Sequence, residues 1–71
     1  MKTPTPRQRQ VAYFITRFHA LNGYAPTYRE ISNHFGWGSQ NSAKDHIILM
    51  ERKGMIKRTP NIARSIQVVN P

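Results

Sequence analysis

Cysteine is absent from this 71-residue chain, and acidic side chains nearly so: Glu30, Asp45 and Glu51 are the only three. Without cysteine there is no disulfide and no thiolate ligand, and the histidines at 19, 34 and 46 do not fall at the spacing of a HExxH metal helix. No metal and no cofactor are expected. Three carboxylates, with no Ser-His-Asp spacing and no phosphate-cradling glycine loop, leave little from which to assemble catalysis, so no enzyme activity is expected. A run of the ~20 apolar residues needed to span a bilayer is missing, and Met1-Lys-Thr-Pro-Thr-Pro6 lacks the apolar stretch of a signal peptide. The expectation is a soluble cytoplasmic protein with no membrane partner.

What the chain has is positive charge. Eleven Lys and Arg residues give a formal charge of +8, a surplus that attracts polyanions in a salt-dependent way and makes nucleic acid the leading partner. The length suits one domain over residues 1–71, with a small core and a stability of about 3–5 kcal/mol.

Punctuation divides the chain. Thr5 suits an N-cap, Pro6 the first helical position and Gly23 a stop, which predicts a helix over about 6–22. On it Val11, Phe14, Ile15, Phe18 and Leu21 form a stripe expected to be core. Pro26 forces an extended connection, and Thr27 with Glu30 makes a capping box for a second helix over about 28–35, ended by Gly36. The turn Gly36-Trp-Gly-Ser39 leads to a third helix over about 40–53, with Ser39 as its cap and Gly54 as its stop. Two helices joined by so short a glycine turn indicate a helix-turn-helix. Beyond Gly54 the apolar period falls to two, predicting strands over about 55–58 and 64–69. The expected fold is α+β, a winged helix-turn-helix: three helices followed by a two-stranded antiparallel β-hairpin wing, with Ile56, Ile66 and Val68 closing the core.

With Ala43, Ile47 and Met50 turned inward, a rotation of ~100° per residue places Asn41, Lys44, Asp45, Ile48 and Arg52 on the outer side of the third helix. Short polar groups gather near its start: Ser39, Gln40, Asn41, Ser42, Lys44 and Asp45. Such groups fit base edges in a major groove. Asn and Gln can pair with adenine, Lys can donate to guanine or phosphate, Asp can accept from cytosine, and an apolar side chain such as Ile48 can touch a thymine methyl. Phosphate contacts are expected from Arg7 on the first helix, from Thr27, Tyr28 and Arg29 at the start of the second, and from Arg52, Lys53, Lys57, Arg58 and Arg64 around the wing, with Lys53 and Arg64 preferred. His46 is expected at the edge of the core, and Trp37 is expected to anchor the turn. Duplex DNA is favoured over RNA because no aromatic strand platform accompanies the charge.

The chain also resembles the N-terminal DNA-binding domain of the LexA repressors along nearly its whole length. The residues that carry this are Thr5, Arg7 and Gln8, the segment Gly23-Tyr-Ala-Pro-Thr27, Glu30-Ile31, then Ser39, Asn41, Ala43, His46, Arg52-Lys53-Gly54 and Ile56. The resemblance implies a place in the SOS response and operator binding by the third helix, with Ser39, Asn41, Ser42, Lys44 and Asp45 at base-contacting positions. Enterobacterial members carry two glutamates where Lys44 and Asp45 stand, so the operator is expected to differ. The serine–lysine self-cleaving C-terminal domain of the family has no counterpart in these 71 residues, which are expected to be an excised domain or a short phage or mobile-element regulator. A palindromic operator would take a second copy. The competing expectation is a protein-interaction module in which Ile48, Leu49 and the outer side of the first helix dock a host repressor or polymerase.

Overall fold

The computed structural model describes residues 3–69; the expectation of one domain over 1–71 reaches beyond them at both ends. Three helices, α1 (Pro6–Asn22), α2 (Tyr28–Phe35) and α3 (Gln40–Arg52), precede two short strands, β1 (Ile56–Lys57) and β2 (Gln67–Val68). The strands pair antiparallel, Ile56 opposite Val68 and Lys57 opposite Gln67, giving a winged helix-turn-helix.

Each helix starts where a side chain satisfies amides that the helix leaves orphaned. Thr5 and Gln8 form a reciprocal capping box at α1 (3.0 and 3.1 Å), and Thr27 and Glu30 form another at α2 (2.8 and 3.2 Å). Ser39 Oγ accepts from the Asn41 amide at 3.1 Å and opens α3. Gly23 and Gly36 end the first two helices with φ of 80° and 73°, a left-handed turn that a side chain would oppose.

The core is one cluster. Val11 and Ile15 of α1, Ile31 of α2, Ala43, Ile47 and Met50 of α3, and Ile56 and Ile66 from the wing region are buried together. Val68 is half-buried against it. Leu21, expected in the core, is 75% exposed. It lies ~120° round the helix from Ile15, at the last turn, where the stripe has rotated away from the buried side. Phe14 and Phe18, at intermediate angles, are half-buried.

The wing strands are shorter than the alternation predicts. Arg64 adopts φ of 58°, which breaks the extended run proposed for 64–69, and Arg58 turns to Glu51 on α3 at 3.0 Å. Between the strands the Ser65 hydroxyl donates to the Thr59 carbonyl and accepts from the Thr59 amide, both at 3.0 Å, tying the loop at its base. One further bond, Val69 amide to Met55 carbonyl at 2.8 Å, extends the pairing.

Candidate nucleic-acid interface

The turn between α2 and α3 sets the direction of α3. The buried Ser32 hydroxyl donates to the Ser39 carbonyl at 2.9 Å, and the Trp37 amide donates to the Ser32 carbonyl at 2.9 Å. Trp37 lies between Phe35 and His46, stacked on both with centroids 5.0 and 4.4 Å apart, and His46 Nδ1 is 2.8 Å from the Ser42 carbonyl. Trp37 and His46 thus brace the turn and the first half of α3.

Held in this way, α3 presents two adjacent polar rows. Gln40 and Lys44, one turn apart, line a groove of about 300 Å³ whose other walls are Pro26, Thr27 and Tyr28 at the start of α2 and residues 58–59 and 61–66 of the wing. Asn41 and Asp45 form the next row, both exposed. Ser39 is exposed, Ser42 is half-buried, and Ile48 is half-buried while its neighbour Leu49 is 48% exposed. At the helix start Arg29, Asn33, Gly38, Ser39 and Gln40 line a second cleft of about 310 Å³.

The basic residues expected to contact DNA divide into two sets. Arg64 Nη1 donates to the Ala25 carbonyl (3.0 Å) and to Glu30 Oε1 (2.9 Å), Nη2 reaches Glu30 Oε2 (3.2 Å), and the guanidinium lies 4.4 Å from the centroid of the Tyr24 ring. Arg58 bonds Glu51 (3.0 Å) and the Tyr28 hydroxyl (3.4 Å). Lys53 Nζ donates to Gln8 Oε1 (2.8 Å) and the Thr3 carbonyl (2.9 Å), joining the end of α3 to the start of α1. Arg7 sits over the Phe35 ring at 5.7 Å. Lys53 and Arg64, which sequence reasoning preferred for phosphate, are therefore engaged inside the molecule first. Arg29, Lys44, Arg52 and Lys57 are exposed and have no ion pair among the described residues.

Two of the three carboxylates are taken up by these contacts. The hydrogen bond from the Thr27 backbone amide, then that from Arg64, hold the Glu30 carboxyl below its ordinary value, and the bond to Glu51 raises that of Arg58. Asp45 alone has no ion pair among the described residues, so an accepting group stands on a basic face. At the start of α2 the caps use the Thr27 and Glu30 amides, while those of Tyr28 and Arg29 are left as orphan donors, which suit an anion.

The wing contributes residues that sequence reasoning passed over. Asn61, with φ of 64°, and Thr59 line the groove opposite Gln40 and Lys44, and Ile62 is 60% exposed at the tip. The signal present was Pro60-Asn61, a turn pair whose asparagine tolerates the left-handed region, but that signal marks a turn and not a contact.

The profile of the LexA DNA binding domain family matches residues 1–65 of the chain. The chain belongs to that family. Among LexA relatives it is 44% identical over 69 residues to LexA repressor 1 of Geobacter sulfurreducens, an alignment covering 97% of this chain and 34% of that protein. It is 42% identical over 64 residues to the LexA repressor of Pseudomonas chlororaphis (90% and 32%), and 41% identical over 69 residues to that of Petrotoga mobilis (97% and 33%). The chain spans about a third of the length of these LexA repressors. No helix among its described residues is long and apolar enough to cross a membrane.

Proposed function

We propose that this chain is a sequence-specific double-stranded DNA-binding domain that reads an operator through α3, acting as one folded unit over residues 1–71 and without catalysis. The observation that carries the reading is the convergence of Gln40 and Lys44, the start of α2 and the loop of the wing on one groove, with the exposed Asn41/Asp45 row beside it on α3. An α-helix fits a major groove about 12 Å wide, and these four side chains offer donors and acceptors for base edges. Asn41 pairs with adenine, Asp45 accepts from cytosine, Lys44 donates to guanine, and Ser39, Gln40, Ser42 and Ile48 complete the reading surface.

Phosphates on either side are bound by Arg29 and the amides of Tyr28 and Arg29, by Thr27, and by Arg52 and Lys57. Arg7, Lys53, Arg58 and Arg64 have partners within the fold, so they add positive potential and hold the contacting elements in place. Relatives at this level of identity are named repressors, which supports a regulatory role as the operator-binding part of a LexA-type repressor or as a small phage or mobile-element regulator. Work on DNA puts it in the cytoplasm, associated with the nucleoid when bound. A palindromic operator would bind two copies with their α3 helices in major grooves about one helical turn apart or a multiple of it.

Selection of bound sequences from a random duplex library, with wild type beside Asn41→Ala, tests the reading. The expected result is an enriched motif that Asn41→Ala alters at one position, at a cost of about 1–3 kcal/mol there. Binding that fades with salt and enriches no motif would reduce the chain to a nonspecific basic domain.

A further inference from the structure

A groove of about 630 Å³ runs along α1 on its side toward the C-terminal half of α2, lined by Arg9, Tyr13, Phe14, Arg17, Phe18 and Leu21 of α1 and by His34 and Phe35 of α2. It shares no lining residue with the face assigned to DNA. Tyr13 is 64% and Leu21 75% exposed, so large apolar surface stands in water here without a covering element. The charge at its edge has one sign: Arg9 and Arg17 line it, and no acidic residue occurs anywhere on α1.

We propose that this groove docks an acidic amphipathic helix of a partner protein, so that a DNA-bound copy can hold a second protein at the same time. Arg9 and Arg17 are eight residues apart, ~12 Å along α1 at the usual rise per residue. A partner helix laid along α1 meets them with carboxylates two turns apart, flanking apolar anchors at i, i+4 and i+7 that seat against Phe14, Phe18 and Leu21. A second copy of this chain does not fit, because a self-paired groove sets arginines against arginines, and two of the three acidic residues are already paired inside the molecule. Nor is it a stacking platform for single-stranded nucleic acid. The Phe14 ring is stacked on His34 at 4.1 Å, Phe18 packs against Phe14 and Tyr24, and Arg17 lies over Tyr13 at 5.9 Å, which leaves few open ring faces.

The test uses the full chain and two fluorescent helical peptides that share one Leu/Phe stripe, one flanked by Glu two turns apart and the other by Lys. Peptide is titrated into free protein and into protein saturated with duplex, by anisotropy and by amide chemical shifts. The expected result is binding of the Glu peptide with shifts confined to residues 9–22 and 34–35, in the presence or absence of duplex. Leu21→Ala, at an exposed position that leaves the fold intact, weakens it on the order of tenfold. Reversing both arginines (R9E with R17E) transfers the preference to the Lys peptide. The proposal is overturned by shifts spread over the whole basic surface, by a preference that the reversal does not change, by a dT oligomer displacing the peptide from these residues, or by self-association of the free chain that Leu21→Asp abolishes. The free-protein titration is independent of duplex binding, so failure of the DNA reading and failure of the docking reading give different results.

Discussion

Glu30 does two jobs with one carboxylate. Its Oε1 accepts from the Thr27 amide that opens α2, and both of its oxygens bind Arg64, which anchors the wing loop to the reading half of the molecule. The ion pair is partly solvated, with side chains 37% and 35% exposed, so its worth lies in orientation more than in stability. Glu30→Gln keeps the cap and loses the charge pair. We expect it to change the unfolding free energy by under about 1 kcal/mol while raising amide exchange at residues 59–65. Because the folded carboxyl titrates below its ordinary value of 4.5, its contribution is fully present above that value and is lost as the pH falls from there through the lower folded value. Corrected for the intrinsic slowing of exchange in acid, the protection of the wing-loop amides measured downward from pH 6 should therefore fall below about pH 4.5 in wild type and stay constant in Glu30→Gln. Arg64→Ala is likewise expected to weaken binding to all duplexes, with the wing loosened to the same extent as in Glu30→Gln; tight wing amides in that variant would show direct phosphate contact to be its main role.

At the scale of elements, the orientation of α3 depends on a turn of a few residues and on one buried hydroxyl. Ser32 bonds the Ser39 carbonyl, so removing its hydroxyl leaves an acceptor in a half-enclosed turn and frees the start of the reading helix. Ser32→Ala should cost about 1 kcal/mol in urea unfolding and weaken the selected DNA site more than random duplex, since base contacts depend on register and phosphate contacts much less. Gly36, at φ of 73°, closes α2 in the left-handed region; Gly36→Ala should destabilise by about 1 kcal/mol in the same assay although nothing crowds the site. Helix starts were readable in the sequence because capping is local chemistry: Thr5, Thr27 and Ser39 each bond an amide within three residues. Strand ends were not: Arg64 takes a left-handed φ of 58° where its side chain bonds Glu30, thirty-four residues earlier, a contact that no local pattern announces.

Across the whole molecule, the formal charge of +8 is unevenly available. Two carboxylates are spent on Arg58 and Arg64, Lys53 ties α3 to α1, and the cations left exposed include Arg29, Lys44, Arg52 and Lys57 on the elements proposed for DNA. Each phosphate contact contributes about 0.9 to the slope of log affinity against log salt. Arg29→Ala and Lys57→Ala should therefore each lower that slope by roughly one and leave thermal unfolding unchanged, whereas Lys53→Ala should lower the unfolding temperature because it severs a bond between the two ends of the helical layer. Equal loss of slope in all three would mean that Lys53 reaches phosphate as well.

Spacing, caps and composition within a few residues set the three helices, the inward residues Val11, Ile15, Ala43, Ile47 and Met50, the polar start of α3 and the excess of positive charge. Tertiary structure decided the rest. Whether an arginine is a scaffold or a contact depends on which carboxylate the fold brings within 3 Å; whether Leu21 is core depends on whether any element covers the last turn of α1; and the groove shared by Gln40, Lys44 and Asn61 exists only once the wing folds back on the helices. These are relations between residues distant in sequence, and no local pattern encodes them.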